Sequence, residues 1–371
     1  MSRFPSNDII SLTGGAPRYD LAESYGPSIT AADLVDAGRW AEIGRLALGY
    51  GTAPGNADLR AAIARHYGIG AEDVVVTLGG AQALFLAAFI LCGPGDDAIT
   101  TAPVFPHTRN ALEAVGATVR ILPATFDNRY QPDLARFRTL LSARTRLVTV
   151  ASPQNPSGVA LPRATLRAML DVMAEICPEA YLLVDETYRD AAYGNDATAP
   201  TLAGSSPKVI TTASLSKCHG TPGLRIGWAI TTDAGLRQQF VLGKFNTAIA
   251  CAALDEVLAL HVLDQHDRLI AERRGQMTDN LRLTADWIVR NAAYVEWVRP
   301  DAGALCCIRL KPAVDIDRFR TLAAEAGVRL GEGPWFGDEP RVFRLGFGLL
   351  TGEDYAAALG ILADVLPRAS R

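Results

Sequence analysis

Four short stretches carry residues with reactive or anion-binding side chains, and each follows an apolar run. The longest is Ser214-Leu215-Ser216-Lys217, continued through Gly220 and Gly223 to Arg225, Gly227 and Trp228, and it follows the β-branched segment 208–212. A lysine at the end of a buried strand can lose part of its ordinary basicity and act as a nucleophilic amine. Asp185-Glu186-Thr187-Tyr188 follows the run 181–184, which sets an acid at a strand end, where it serves either as a charge partner or as a helix cap. Asn155-Pro156-Ser157-Gly158 follows the run 147–151; the proline holds Asn155 extended, with an amide able to donate. Thr77-Leu78-Gly79-Gly80-Ala81-Gln82 passes from the run 74–76 into a helix, and small residues at a helix N-terminus suit a phosphate.

The elements that must position these groups alternate. Strand-like runs at 73–77, 97–101, 117–122, 146–151, 181–184, 208–212 and 226–230 are separated by helical stretches such as 81–91 and 163–175. Strands apolar on both faces with helical crossovers predict a mostly parallel sheet, an α/β domain of the open type. Ligands of such sheets lie beyond the carboxyl ends of the strands, where all four stretches fall. After about residue 243 the pattern becomes a smaller α+β unit. A helix is expected over 248–263, and a long charged helix over 267–290 connects the two units; strands follow at 294–298, 304–310 and 342–346.

With 371 residues the chain is long enough for about two domains. A formal net charge of −4, with no basic stripe, argues against nucleic acid as a partner. The apolar run 81–92 is too short to span a bilayer, and the start has no apolar stretch of signal-peptide length, so neither membrane nor export is expected and the cytoplasm is the default. The six cysteines form no CxxC pair and are read as reduced thiols. No HExxH or Cys/His cluster is evident, so no metal is expected.

Taken in register, the stretches resemble the class I/II aminotransferases of pyridoxal-phosphate (PLP) fold type I. Residues 214–228 match the lysine signature S-x-S-K-x-x-G-x-x-G-x-R-x-G-aromatic at every fixed position; Asn155 to Gly158 match N-P-[TS]-G, and Asp185 to Tyr188 match D-E-x-Y. The resemblance spans nearly the whole chain. It implies an N-terminal arm and part of a small domain over 1–30, a large PLP-binding domain over 31–265 and a small C-terminal domain over 266–371. By resemblance, Lys217 carries PLP as a Schiff base and then shuttles a proton; Asp185 pairs with the pyridinium nitrogen; Asn155 and Tyr188 reach the ring hydroxyl oxygen. Ser214, Ser216, Arg225 and the backbone at Gly80 and Ala81 hold the phosphate, and Phe105 stacks on the ring. Tyr50 reaches the phosphate of a partner subunit, which implies a homodimer with shared sites. Arg344 clamps the α-carboxylate of the substrate. The stretch Ser11 to Pro17 resembles the early glycine loop near the substrate and brings in Gly15.

The activity so implied moves an amino group between an α-amino acid and a 2-oxo acid. The same resemblance also covers PLP-dependent lyases, decarboxylases, and cyclising or oxidising enzymes, because the core motifs do not decide which bond breaks. An aminotransferase-like regulator would need a helix-turn-helix extension, and only about fifty residues precede Tyr50. A dinucleotide-binding enzyme would need GxGxxG, which Gly79-Gly80 does not supply. For the side-chain pocket, no second arginine can be placed for a distal carboxylate. Phe105, His107, Trp335 and Phe336 point instead to an aromatic or apolar substrate. His219 is expected to be a neighbour of the lysine without a chemical role, and His66, His261 and His266 to be structural or exposed.

Overall fold

The computed structural model describes residues 4–15, 17–193, 198–350 and 352–370. Ala16, in the early glycine stretch, lies outside them. Among the described residues twelve strands follow in chain order: β1 (Tyr19–Leu21), β2 (Val74–Leu78), β3 (Asp97–Ala102), β4 (Thr118–Pro123), β5 (Thr145–Ala151), β6 (Tyr181–Asp185), β7 (Val209–Ser214), β8 (Ile226–Ile230), β9 (Val295–Val298), β10 (Leu305–Leu310), β11 (Val328–Glu332) and β12 (Val342–Gly346).

The large sheet has the order β2-β8-β7-β6-β5-β3-β4. The β3–β4, β3–β5, β5–β6 and β6–β7 pairings are parallel, whereas β8 runs antiparallel to both β2 and β7. Successive residues of the central strands pack into different layers. Val148, Leu182 and Val184 meet the helix Arg163–Ile176 through Leu166, Met169 and Met173, which recur at helical spacing. Leu147, Leu183 and Ile210 meet the helices Gly79–Leu91 and Ala234–Ala248 on the other face. Burial on both faces explains why these strands read as continuous apolar runs.

The second sheet has the order β1-β11-β12-β10-β9. The N-terminal segment enters it as β1, parallel to β11. Neither strand is apparent in the sequence: β1 is three residues long, and β11 (Val-Arg-Leu-Gly-Glu) contains a glycine. The helix expected over 248–263 is also corrected. One helix ends at Ala248, Ile249 adopts a positive φ of 62°, and the next helix begins at Ala253. The helix His266–Arg290 bridges the two units, with Leu269 packed into the large-sheet core and Ile270, Met277, Leu281 and Trp287 into the small-sheet core.

Candidate active site

β2, β3, β5, β6 and β7 point their carboxyl ends at one edge, and the residues just beyond them converge there. A single cavity is lined by Gly80 and Ala81 after β2, Phe105 and His107 after β3, Asn155 after β5, Asp185 and Tyr188 at the end of β6, and Ser214, Ser216 and Lys217 after β7. Arg225 joins them because β8 is antiparallel, so the residue preceding it lies at the same edge.

The turn at Gly79 and Gly80 forms one wall. Gly79 has φ +72°, and a Cβ there would lie 2.5 Å from Arg225 Nη2, so only glycine fits. No side chain caps the start of the helix Gly79–Leu91, which leaves its first N–H groups for an anion. Arg225, itself at φ 50°, donates from Nη1 to the Pro222 carbonyl (3.0 Å) and lies 3.5 Å from Ser216 Oγ. Helix N-terminus, two hydroxyls and a guanidinium make a cradle for a phosphate. Gly227 closes its floor: a Cβ there would come within 2.5 Å of Gly79 C and Gly80 N and 2.8 Å of the Ala213 carbonyl. These neighbours are backbone and cannot rotate away. Gly227→Ala is therefore expected to cost about 1–3 kcal/mol in unfolding free energy and to weaken phosphate binding, measured by denaturant unfolding and by pyridoxal-phosphate titration.

Asp185 accepts from Thr187 Oγ1 (2.6 Å) and Thr187 N (3.1 Å), both at Oδ1. This orients the carboxylate and leaves Oδ2 for a cation in the cavity. Burial pushes the Asp185 carboxyl upward, opposed by the Thr187 bonds and by Lys217. Lys217 Nζ donates to Ser24 Oγ (3.1 Å), which also accepts from Tyr188 Oη (3.0 Å). Ser24 is buried and, although 193 residues from the lysine in sequence, ties it to the tyrosine. Nothing in the sequence marks it. Burial lowers the Lys217 amine to about 8, with Glu23 opposing and Arg344 and Arg225 assisting. Below that pH the amine is mostly protonated and has no free lone pair. Capture of pyridoxal phosphate by the apoprotein is therefore expected to accelerate about tenfold per pH unit up to about pH 8 and then level off. Stopped-flow absorbance checks this; a midpoint near that of a free lysine would contradict it.

Arg344, on β12, is buried. It donates from Nη1 to Asn155 Oδ1 (2.8 Å) and from Nη2 to the Ala22 carbonyl, while its Nε has no partner among the described residues. Its guanidinium lies 4.5 Å from the Phe336 ring centroid. Phe105 lies against His107, ring centroids 4.4 Å apart and 6° from parallel. Tyr188, read as a partner of the ring oxygen, bonds Ser24 in this structure.

Five expected residues, Arg344, Phe336, Trp335, Gly15 and Tyr50, do not line the cavity; Arg344 adjoins it through its bond to Asn155. Trp335 lines a separate cavity with Ser11, Pro17 and Leu330. Gly15 is exposed and outside the cavity wall. Tyr50 is 86% exposed and outside the cavity of its own chain. His219 is buried and turned away: its Nε2 meets His266 Nδ1 at 3.0 Å, and burial pushes its pKa down to about 3. The fold also builds a cluster that the sequence does not show. Ligand-type atoms of His66, Asp190 and His266 lie within 4.8 Å of one another. Arg189 Nη1, 3.1 Å from His66 Nε2, already brings positive charge there.

The family model described as aminotransferase class I and II matches residues 7–362. The chain belongs to this family. It is 31% identical over 311 residues to the capreomycidine synthase of Streptomyces vinaceus, covering 82% of this chain and 78% of that protein. It is also 31% identical over 325 residues to an arginine–pyruvate transaminase of Pseudomonas aeruginosa, covering 82% and 76%. Among solved structures it superposes on a PLP-dependent aminotransferase from Streptococcus suis with TM-score 0.88 at 24% identity, covering 96% and 95% of the two chains. A PLP-dependent cyclase, OrfR, gives TM-score 0.85 at 25% identity with 99% of each chain covered. The fold is thus that of the fold type I PLP-dependent aminotransferases, and the cofactor of this aminotransferase is pyridoxal 5'-phosphate. Its residues fit that group: an anion cradle, a carboxylate with one oxygen free, an aromatic wall and an amine of lowered basicity lie in one cavity. Among the described residues no helix is long and apolar enough to cross a membrane.

Proposed function

We propose that this aminotransferase transfers the amino group of an α-amino acid to a 2-oxo acid, with Lys217 as the covalent anchor of the cofactor and the acid–base of the reaction. The observation that carries the assignment is the placement of Lys217, Asp185 and the Gly80–Ser214–Arg225 cradle around one cavity. Bound there, PLP supplies an electron sink for a bond broken at the substrate α-carbon. The protein does the rest. Gly80, Ala81, Ser214, Ser216 and Arg225 fix the phosphate, and Asp185 Oδ2 holds a proton on the ring nitrogen. Asn155 Nδ2 donates to the ring oxygen, with Tyr188 held beside it by Ser24. Arg344, held beside the cavity by its bond to Asn155, offers its guanidinium to the α-carboxylate. Lys217 Nζ takes the proton from Cα and returns it, a transfer suited to an amine whose pKa is close to the working pH.

The exposed Tyr50 is read as reaching the phosphate of a partner subunit, so the active species is a homodimer, checked by sedimentation of the loaded protein. The domains are assigned as 1–30, 31–265 and 266–371. The pairing of β1 with β11, and the confinement of the large sheet to strands between Val74 and Ile230, support this division. The six cysteines are free and buried, which accords with a cytoplasmic site of action.

The similarity to a capreomycidine synthase and to OrfR favours a second reading, a PLP-dependent cyclisation that uses the same lysine. Product analysis separates the two. With an amino acid and pyruvate, the first reading expects alanine and a new 2-oxo acid in equal amounts. A ring-closed product without alanine supports the second.

A further inference from the structure

The chain leaving β1 runs Ala22-Glu23-Ser24-Tyr25 past Arg344 and Lys217, and both neighbours of Glu23 are tied to these two residues. The Ala22 carbonyl accepts from Arg344 Nη2, and Ser24 Oγ accepts from Lys217 Nζ at 3.1 Å. The Glu23 backbone is also fixed, because its carbonyl oxygen would lie 1.8 Å from a Cβ at Gly346, two residues beyond Arg344. Glu23 is therefore held between the α-carboxylate clamp and the reacting amine.

Its own carboxylate is half-buried and accepts no hydrogen bond and forms no ion pair among the described residues. Asp20, on the same segment, is bound by Arg329. Glu23 also exerts the largest charge effect favouring the Lys217 ammonium, ahead of Asp185, and it acts on Arg344 as well. The neighbouring Tyr25 presents its ring 5.3 Å from Lys217 Nζ. With no hydrogen bond or ion pair of its own among the described residues, this carboxylate is open to a cation arriving with the substrate. An aromatic face adds a second attraction for such a cation.

We infer that Glu23, with the ring of Tyr25 beside it, is the specificity-determining subsite for the distal group of the substrate, and that this group is a cation, for which a guanidinium serves as the probe. The inference rests on the reading of Arg344 as the α-carboxylate clamp. It replaces the aromatic or apolar substrate expected from the sequence, for which Trp335 is on the wrong side.

The test uses the cofactor-loaded protein and three acids that lack an α-amine and so cannot react: 5-guanidinopentanoate, hexanoate and adipate. Calorimetric titration is expected to show 5-guanidinopentanoate binding about 10- to 100-fold more tightly than hexanoate, the yield of one charge-assisted pair, with adipate weakest. In Glu23→Gln the preference should fall to within about threefold, with hexanoate binding unchanged, while Glu23→Asp should retain part of it. Equal binding of the guanidino and alkyl acids, or a preference that survives Glu23→Gln, overturns the inference. So does tightest binding of adipate, which would assign the distal group to a cation such as Arg329. If none of the acids binds, the Arg344 reading itself fails, an outcome distinct from loss of selectivity alone.

Discussion

Lys217→Ala is expected to lose amino-transfer activity by at least about ten-thousandfold. The substitution removes the amine that anchors the cofactor and the base that moves the Cα proton, and among the described residues no other lysine lines the cavity. His107 is another titratable group lining the cavity that could act as a base. Burial lowers its pKa, and the positive charges of Lys217 and Arg225 lower it further. Stacked on Phe105, it is held against the cavity wall. The fold should survive, because the lysine has one hydrogen bond, to Ser24. Circular dichroism together with turnover rates checks both halves. Retention of activity within tenfold of the parent would remove Lys217 from the chemistry.

Asp185→Asn is the second large effect. The amide is nearly isosteric and can still accept from Thr187 Oγ1, so local geometry is kept. What is lost is the negative charge opposite the ring nitrogen. Removing one partner of a buried charge pair costs about 3–5 kcal/mol, which corresponds to a fall of about a hundred- to several-thousandfold in kcat/KM. The apoprotein behaves differently. Burial pushes the Asp185 carboxyl upward, which means that folding without a cation partner penalises its charge. The apo form of Asp185→Asn should therefore melt no lower than the parent apoprotein. A large loss of apo stability would show Asp185 to be structural rather than a cofactor partner.

The strands of the large sheet were legible because burial on both faces leaves near-continuous apolar runs, and the residues ending those runs are the ones that meet in the cavity. Lys217, Asp185, Asn155 and Arg225 are local in this sense, since strand direction alone brings them to one edge. β1 and β11 were not legible: their pairing joins residues 19–21 to 328–330, and a three-residue strand has no periodicity to detect. The break at Ile249–Ala252 was hidden because apolar residues continue through it. Ser24 and Glu23 owe their positions to that same long-range pairing, so spacing gives no warning of them. Trp335 was misplaced for a simple reason. The short helix Gly333–Phe336 turns successive side chains to different faces, Phe336 towards Arg344 and Trp335 towards a separate cavity. The cluster of His66, Asp190 and His266 likewise assembles from three distant segments.

The central claim is that Lys217 holds the cofactor and that the loaded protein exchanges amino groups. An absorbance spectrum of the purified, cofactor-loaded protein tests it most directly, first alone, then with an amino acid, then with a 2-oxo acid. The expected result is a band near the visible edge that is absent in Lys217→Ala, is lost on adding the amino acid and returns with the 2-oxo acid. A band that persists unchanged in Lys217→Ala, or one that no amino acid alters, would contradict it.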